Sequence, residues 1–133
     1  MEWKYVKKLK NPNDVVEFLR KYNIVLPKQL VTCMERFNGG RPSEKEIITI
    51  TSREYVFKTM LSYNSNDKDT IYSVYPGVFG ETDWYPLASD AAGNFVCYDT
   101  SNKKYVLYNH EIDRVEEIIK MALFSTIDEL IED

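Results

Sequence analysis

The sequence predicts an α+β domain in which helices near the two ends flank a mainly antiparallel sheet. Apolar residues recur at helical spacing near both ends, whereas the middle holds short runs of β-branched and aromatic residues between polar turns. The chain has 133 residues, of which 44% are hydrophobic and 14% aromatic, and this fits one domain spanning residues 1–133.

Two helices are predicted in the N-terminal third. Asn11 is the expected cap of the first helix, with Pro12 at its first helical position. The apolar face of this helix consists of Val15, Val16, Phe18, Leu19 and Tyr22. The second helix follows Pro27 and ends before Asn38-Gly39-Gly40, because asparagine and glycine adopt the left-handed conformation at low cost.

The middle of the chain predicts four strands, at residues 47–51, 54–61, 95–98 and 104–108. The last two strands form a hairpin around a polar turn at residues 100–103. Between the second and third strands we expect a turn at residues 64–69 and a short helix at residues 70–75. A loop of about ten residues through Gly77 and Gly80 then leads to residues 84–88, to which no element is assigned. A further turn at residues 90–94 precedes the third strand.

The C-terminal part fits two structures. Helical spacing relates Ile112, Val115, Ile118, Ile119 and Ala122, whereas Ile119, Met121 and Leu123 alternate as in a strand. Ser125 or Thr126 is the expected cap of a last helix. The buried face of that helix is predicted to be Ile127, Leu130 and Ile131.

The charge pattern argues against direct nucleic-acid binding. Seventeen basic and twenty-one acidic residues give a net charge of −4, and the longest basic runs are the pairs Lys7-Lys8 and Lys103-Lys104. An acidic surface suits a basic protein partner, although this mild charge is also what solubility alone requires. The longest apolar runs are too short to span a bilayer, and the first residues do not resemble a signal peptide. We therefore expect a cytoplasmic protein that has no membrane partner.

The chain offers few residues for catalysis, so we predict that it is not an enzyme and needs no cofactor or metal. His110 and Cys97 could in principle form a thiol–imidazole pair, but the residues around Cys97 are typical of a core strand. We expect His110 to bond a neighbouring turn, and Cys33 and Cys97 to be reduced, buried thiols. Asp67, Asp69 and Asp90 lie in polar turns that lack the calcium-loop pattern.

The loop containing Glu81, Asp83 and Trp84 is the candidate for binding a partner. Tyrosine and tryptophan are enriched at protein interfaces, and acidic residues beside them attract a basic partner. The alternative for Trp84 is a place in or around the core. No catalytic residue is assigned in this loop.

Three stretches of the chain, taken in order, resemble the SUKH superfamily, which includes many bacterial immunity proteins and a fungal regulator of cell-wall synthesis. They are Leu26-Pro27 with Asn38-Gly39-Gly40-Arg41-Pro42, then Glu54-Tyr55-Val56-Phe57 through Ile71-Tyr72, then Pro86-Leu87 through Asp90, Gly93 and Asn94 to His110-Glu111. The resemblance extends over roughly residues 12–131 and favours a strand near residues 118–123. One departure is Asn109, where the family often has aspartate.

The resemblance implies a non-enzymatic protein that binds and neutralises a cognate polymorphic toxin in the producing cell, with a nuclease as one candidate class of toxin. A regulatory protein-interaction module, similar to the fungal branch, is the alternative. The motif residues have the chemistry of turns and helix ends, which indicates a structural role. They are Pro27, Asn38, Gly39, Gly40, Asp90, Gly93, Asn94, His110 and Glu111.

Overall fold

Six antiparallel strands form a closed barrel in the structure, a computed structural model that describes residues 1–130. The elements in chain order are β1 (Trp3–Lys4), α1 (Asp14–Lys21), α2 (Lys28–Arg36), β2 (Arg41–Pro42), β3 (Ile47–Ile50), β4 (Glu54–Met60), α3 (Ile71–Val74), a single π-helical turn (Tyr75–Phe79), β5 (Trp84–Asp90), β6 (Phe95–Asp99), β7 (Lys104–Asn109), β8 (Arg114–Met121) and α4 (Ala122–Asp128). The predicted α+β class, with a mainly antiparallel sheet and terminal helices, is confirmed.

The barrel contains β3 to β8, and β1 and β2 form a separate two-stranded sheet. Each barrel strand pairs with the next strand in sequence, and β3 also pairs with β8 to close the sheet. At this closure Ile48 lies opposite Met121, and both side chains are buried. The register of β3 against β8 shifts between Thr49 and Ile50, an irregularity of the kind that bends strands where sheets curve. The four strands predicted in the middle of the chain are present as β3, β4, β6 and β7, with ends within one residue of the prediction, and β5 is an additional strand that was not predicted.

The two N-terminal helices bury the faces that their spacing predicts. Val15, Phe18 and Leu19 of α1 are buried. The buried residues of α2 are Leu30, Cys33 and Met34, and this helix also packs against α4. Removing such side chains from water stabilises the fold by roughly 1.5–3 kcal/mol for each large residue. Isolated helices of 8 and 9 residues are marginal in water, so α1 and α2 are stabilised mainly by this tertiary packing.

The predicted helix caps are wrong at both ends of the chain. Helix α1 begins at Asp14, and the carboxamide oxygen of Asn11 instead accepts the backbone N–H of Asn13 in a local turn. Helix α4 begins at Ala122, directly after β8, so Ser125 and Thr126 lie inside it. Ile127 and Leu130 are buried as expected, and Ile131 lies outside the described residues.

The ambiguous segment before α4 is a strand. β8 spans Arg114–Met121 and pairs with both β3 and β7, so the helical alternative is wrong. Ile118 and Met121 are buried, whereas Ile119 is 60% exposed. Backbone hydrogen bonds to two neighbouring strands outweigh the local helical spacing of the apolar residues.

The predicted loop through Gly77 and Gly80 is largely helical. Helix α3 begins after Thr70, whose hydroxyl accepts the backbone N–H of Ser73, and it continues into the π-helical turn. This turn buries Tyr75 and Phe79, which explains why the chain does not form an open loop there. Only residues 80–83 remain between the π-helical turn and β5. No helix among residues 1–130 is long and apolar enough to cross a membrane.

Candidate partner-binding site

The acidic loop, defined here as residues 80–83 together with Trp84, is held in one conformation by hydrogen bonds. The Thr82 hydroxyl donates to the backbone carbonyl of Phe79 at 3.0 Å and accepts the N–H of Trp84 at 3.1 Å. The backbone N–H and the hydroxyl of Thr100 both donate to the carbonyl of Asp83, at 2.8 and 3.1 Å. A loop fixed in this way loses little conformational entropy when a partner binds.

The three predicted contact residues differ in their exposure. Glu81 and Asp83 are exposed, whereas Trp84 is half-buried. The Trp84 ring packs against Tyr108, with centroids 6.1 Å apart. Part of the indole is therefore used to hold the barrel, and the remainder is available beside the two carboxylates. Trp84 thus packs partly against the core, as the alternative assignment expects, and its contact with a partner stays a prediction.

A third acidic residue, Asp113, belongs to this region and was not predicted. The Tyr108 hydroxyl donates to the Asp113 carboxylate at 2.6 Å, and this hydrogen bond, with burial, raises the pKa of Tyr108. Asp113 has a φ of +52°, a left-handed conformation that aspartate tolerates better than most residues. The contact joins the turn between β7 and β8 to the ring on which Trp84 packs.

The sequence around the acidic loop contains no positive charge. No lysine or arginine occurs between Lys68 and Lys103, and all charged residues of that segment are acidic. They are Asp69, Glu81, Asp83, Asp90 and Asp99. Asp90 and Asp99 are buried in turns, so Glu81 and Asp83 supply the exposed charge of the segment. A basic surface would meet no repulsion from a nearby cation along this part of the chain.

The motif residues around Asn94 form a separate, internally bonded turn. The Asp90 carboxylate accepts the backbone N–H of Asn94 at 2.7 Å and its side-chain amide at 3.0 Å. The Asn94 carbonyl oxygen accepts the backbone N–H of His110 and lies 2.8 Å from His110 Nδ1. Gly93 has a φ of +86°, and a Cβ there would lie 3.4 Å from the His110 ring. Glu111 is exposed at the next position. The arrangement ties the turn between β5 and β6 to the end of β7.

The second set of motif residues surrounds Asn38, which is fully buried. Its amide nitrogen donates to the carbonyl of Lys7 at 2.7 Å and to the Ser62 hydroxyl at 3.1 Å, and its oxygen accepts the N–H of Tyr63 at 2.8 Å. Gly39 then turns the chain with a φ of +64°. One side chain thus holds three distant segments together.

Two further motif residues frame the helix that precedes Asn38. Pro27 is half-buried and extended immediately before α2, and the Gly40 N–H donates to the Phe37 carbonyl after that helix. Within residues 1–130, no hydrogen bond joins either motif group to the acidic loop.

The two thiols lie in the core, Cys33 on α2 and Cys97 on β6. Burial raises the pKa of Cys33 to about 12, and it also raises the pKa of Cys97. Both thiols are therefore protonated near neutral pH. In the part of the chain that the structure describes, no group of three histidine, cysteine or acidic side chains is arranged to hold a metal ion.

Comparison with known proteins gives one match. The sequence model of the family described as SUKH_6, SMI1-KNR4 cell-wall, matches residues 12–124, which is most of the chain. No curated protein and no solved structure matches the chain. The matched range contains both groups of motif residues and the acidic loop.

Proposed function

The chain belongs to the SMI1-KNR4 family, and from this membership we propose that it is a non-enzymatic protein-binding domain that neutralises a cognate toxin in the producing cell. The observation that carries the proposal is the acidic loop, in which Glu81 and Asp83 project beside the partly exposed Trp84. Its hydrogen-bonded backbone presents these groups before the partner arrives. The protein then acts stoichiometrically, by covering the active site of the toxin.

Charge and aromatic contact have different roles in this mechanism. The two carboxylates attract a basic surface, such as the cleft of a nuclease, and speed association. The exposed part of Trp84 packs into the toxin surface and slows dissociation. A small acidic protein can in this way compete with the phosphate backbone that such a cleft binds.

Binding without turnover is also part of the proposal. Cys97 is buried with a raised pKa, so its thiol is not presented as a nucleophile, and the exposed His110 uses Nδ1 to hold the Asn94 turn. Replacement of His110 by alanine should therefore leave protection against the toxin intact, provided that the variant folds. Loss of protection in a folded His110→Ala variant would contradict this part of the proposal.

The test is to screen the genes that neighbour this one for a toxin domain, to co-express that domain with this protein, and to measure growth and complex formation. Growth should be rescued, and the two proteins should co-purify. Truncation of Trp84 to alanine should weaken binding by about 2 kcal/mol or more, roughly thirtyfold in Kd. Circular dichroism must accompany this measurement because Trp84 also packs on Tyr108.

Two charge-reversal variants test whether the acidic loop itself, and not the net charge of the protein, speeds association with the toxin. Glu81→Lys with Asp83→Lys should slow association and weaken its salt dependence. The matched control is Glu44→Lys with Glu54→Lys, which makes the same charge change at two exposed sites outside the loop. Equal association rates for the two folded variants would remove the acidic loop from the interface. Failure of the wild-type protein to bind the toxin or rescue growth would overturn the proposed function itself.

A further inference from the structure

A cleft of about 380 Å³ lies between α1 and the segment formed by α3 and the π-helical turn. Its lining combines aromatic rings with charged groups. The residues of this cleft, called the α1–α3 pocket below, are Asp14, Glu17, Phe18, Lys21, Tyr22, Tyr72 and Pro76. They come from two parts of the chain, residues 14–22 and 72–76.

The aromatic walls of the α1–α3 pocket are fixed by contacts with one another. The Phe18 ring centroid lies 4.8 Å from that of Tyr22 and 5.6 Å from that of Tyr72. The Tyr72 hydroxyl donates to the backbone carbonyl of Tyr63 at 2.8 Å, which sets the direction of its ring. Tyr72 nevertheless remains 39% exposed. The pocket therefore presents an ordered aromatic surface to solvent.

Two carboxylates lie on the helical side of the same pocket. Asp14 and Glu17 are three residues apart on α1, a spacing that places both on one face of the helix. Burial raises the pKa of Tyr72, and the negative charges of Asp14 and Glu17 raise it further. Among the described residues, neither carboxylate has a hydrogen-bond or ion-pair partner. Lys21 supplies the one positive charge among the lining residues, so the pocket keeps a net negative charge beside its aromatic walls.

The pocket already holds one cation at its edge. Lys21 Nζ lies 5.3 Å from the centroid of the Tyr22 ring, within the range of a cation–π contact. This intramolecular contact shows that an ammonium group is compatible with the aromatic wall. Aromatic faces combined with unpaired carboxylates suit a positively charged side chain more than an anion or a neutral group.

We propose that the α1–α3 pocket binds a lysine or arginine side chain of the partner protein. The inference rests on the proposed function, since it adds a second contact to the acidic loop. The two sites are close along the chain, because α3 and the π-helical turn lead directly into residues 80–83 without any basic residue. Both sites attract the same kind of partner surface, one that carries positive charge.

The test uses a small cation as probe and does not require the toxin. N-acetyl-arginine amide is titrated into the full chain while the aromatic and amide signals are followed by NMR. Signals of Tyr22 and Tyr72 should shift and saturate, whereas the neutral analogue N-acetyl-citrulline amide should give no saturable shift. Equal responses to the two probes, or shifts that never saturate, would overturn the proposal.

Matched variants test whether the carboxylates of Asp14 and Glu17 contribute to binding of the arginine amide. Asp14→Asn with Glu17→Gln should weaken arginine-amide binding by about tenfold, since both carboxylates face the cation. The control, Glu44→Gln with Glu54→Gln, removes the same charge at exposed sites outside the pocket and should leave binding unchanged. An equal loss in the control would show a general charge effect and contradict the proposal.

The aromatic wall is tested separately. Tyr72→Leu should abolish the saturable shift, whereas Tyr72→Phe should retain it because the ring packed on Phe18 remains. Retained binding in a folded Tyr72→Leu variant would overturn the proposal. A flat arginine-amide titration together with intact growth rescue would refute the α1–α3 pocket alone, whereas failed rescue with saturable shifts would refute only the toxin-binding function.

Discussion

Replacement of Gly39 by alanine should destabilise the protein, because this residue has a φ of +64° after α2. An L-residue in the left-handed conformation costs roughly 1–2 kcal/mol relative to glycine. The added Cβ would also lie 2.7 Å from Cγ and 3.1 Å from Cβ of Lys7. Both atoms are close to the Lys7 backbone, which is hydrogen-bonded to Asn38, so we expect this contact to add to the conformational cost.

Gly77 provides a matched control, because its replacement by alanine is expected to change the free energy of unfolding in the opposite direction. Gly77 lies in the π-helical turn, and a Cβ added there would meet no heavy atom within 4 Å. Alanine is favoured over glycine in helical segments by roughly 0.5–1 kcal/mol. Gly77→Ala should therefore be neutral or stabilising, whereas Gly39→Ala should reduce the folding equilibrium constant by about five- to thirtyfold.

Urea unfolding followed by circular dichroism measures both variants. Addition of Lys7→Ala to Gly39→Ala separates the two causes, since it removes the close side-chain contact and leaves the backbone strain. The double variant should recover only a minor part of the lost free energy of unfolding. If Gly39→Ala proves no less stable than Gly77→Ala, the assignment of this turn as a left-handed position that requires glycine is refuted.

Two further predictions concern ionisation. Although burial opposes the charged form, hydrogen bonds from Asn102 and Ser101 lower the pKa of Asp99 below its ordinary value of 3.8. Its stabilising effect is present above that value and is lost as pH falls through the lowered pKa. Urea unfolding should therefore show that Asp99→Asn destabilises at pH 7 and that its difference from wild type shrinks as pH falls below 3.8. Cys33, with a pKa of about 12, should react with a thiol reagent at pH 8 only as fast as the protein opens, and rapid labelling of the native state would contradict its burial.

Much of the fold follows from local patterns in the sequence. The strands β3, β4, β6 and β7 are predictable because β-branched and aromatic residues are concentrated between polar turns. The end of α2 is predictable because Gly39 occupies a left-handed position that few other residues accept. In both cases the signal lies within a few residues of the element it specifies.

The errors arise where tertiary contacts decide the structure. β8 has apolar residues at helical spacing, yet pairing with β3 and β7 makes it a strand. The glycines at positions 77 and 80 suggested an open loop, but burial of Phe79 draws the chain into a π-helical turn. The side chains of Asn11 and Ser125 can cap a helix, but α1 begins at Asp14 and α4 begins at Ala122, so neither residue is at a capping position.

The candidate site likewise combines features that local sequence patterns predict with features that tertiary contacts decide. Exposure of Glu81 and Asp83 could be predicted from a polar loop between apolar elements. The contact between Tyr108 and Asp113 requires the strand register, and the meeting of Asp14 with Tyr72 requires the packing of α1 on α3. The first contact depends on the geometry of the turn between β7 and β8, and the second joins residues that are far apart in the sequence, so no local pattern records either.

Closure of the barrel restricts how a partner can bind this protein. Because β3 pairs with β8, every strand of the six-stranded sheet has hydrogen-bonded neighbours on both sides. An incoming peptide therefore finds no free barrel edge, within residues 1–130, on which to extend the sheet by β-augmentation. Recognition must instead use side chains on loops and helices, which can be exchanged without disturbing the backbone pairing. A family built in this way can acquire new partners by surface substitution while its barrel stays the same.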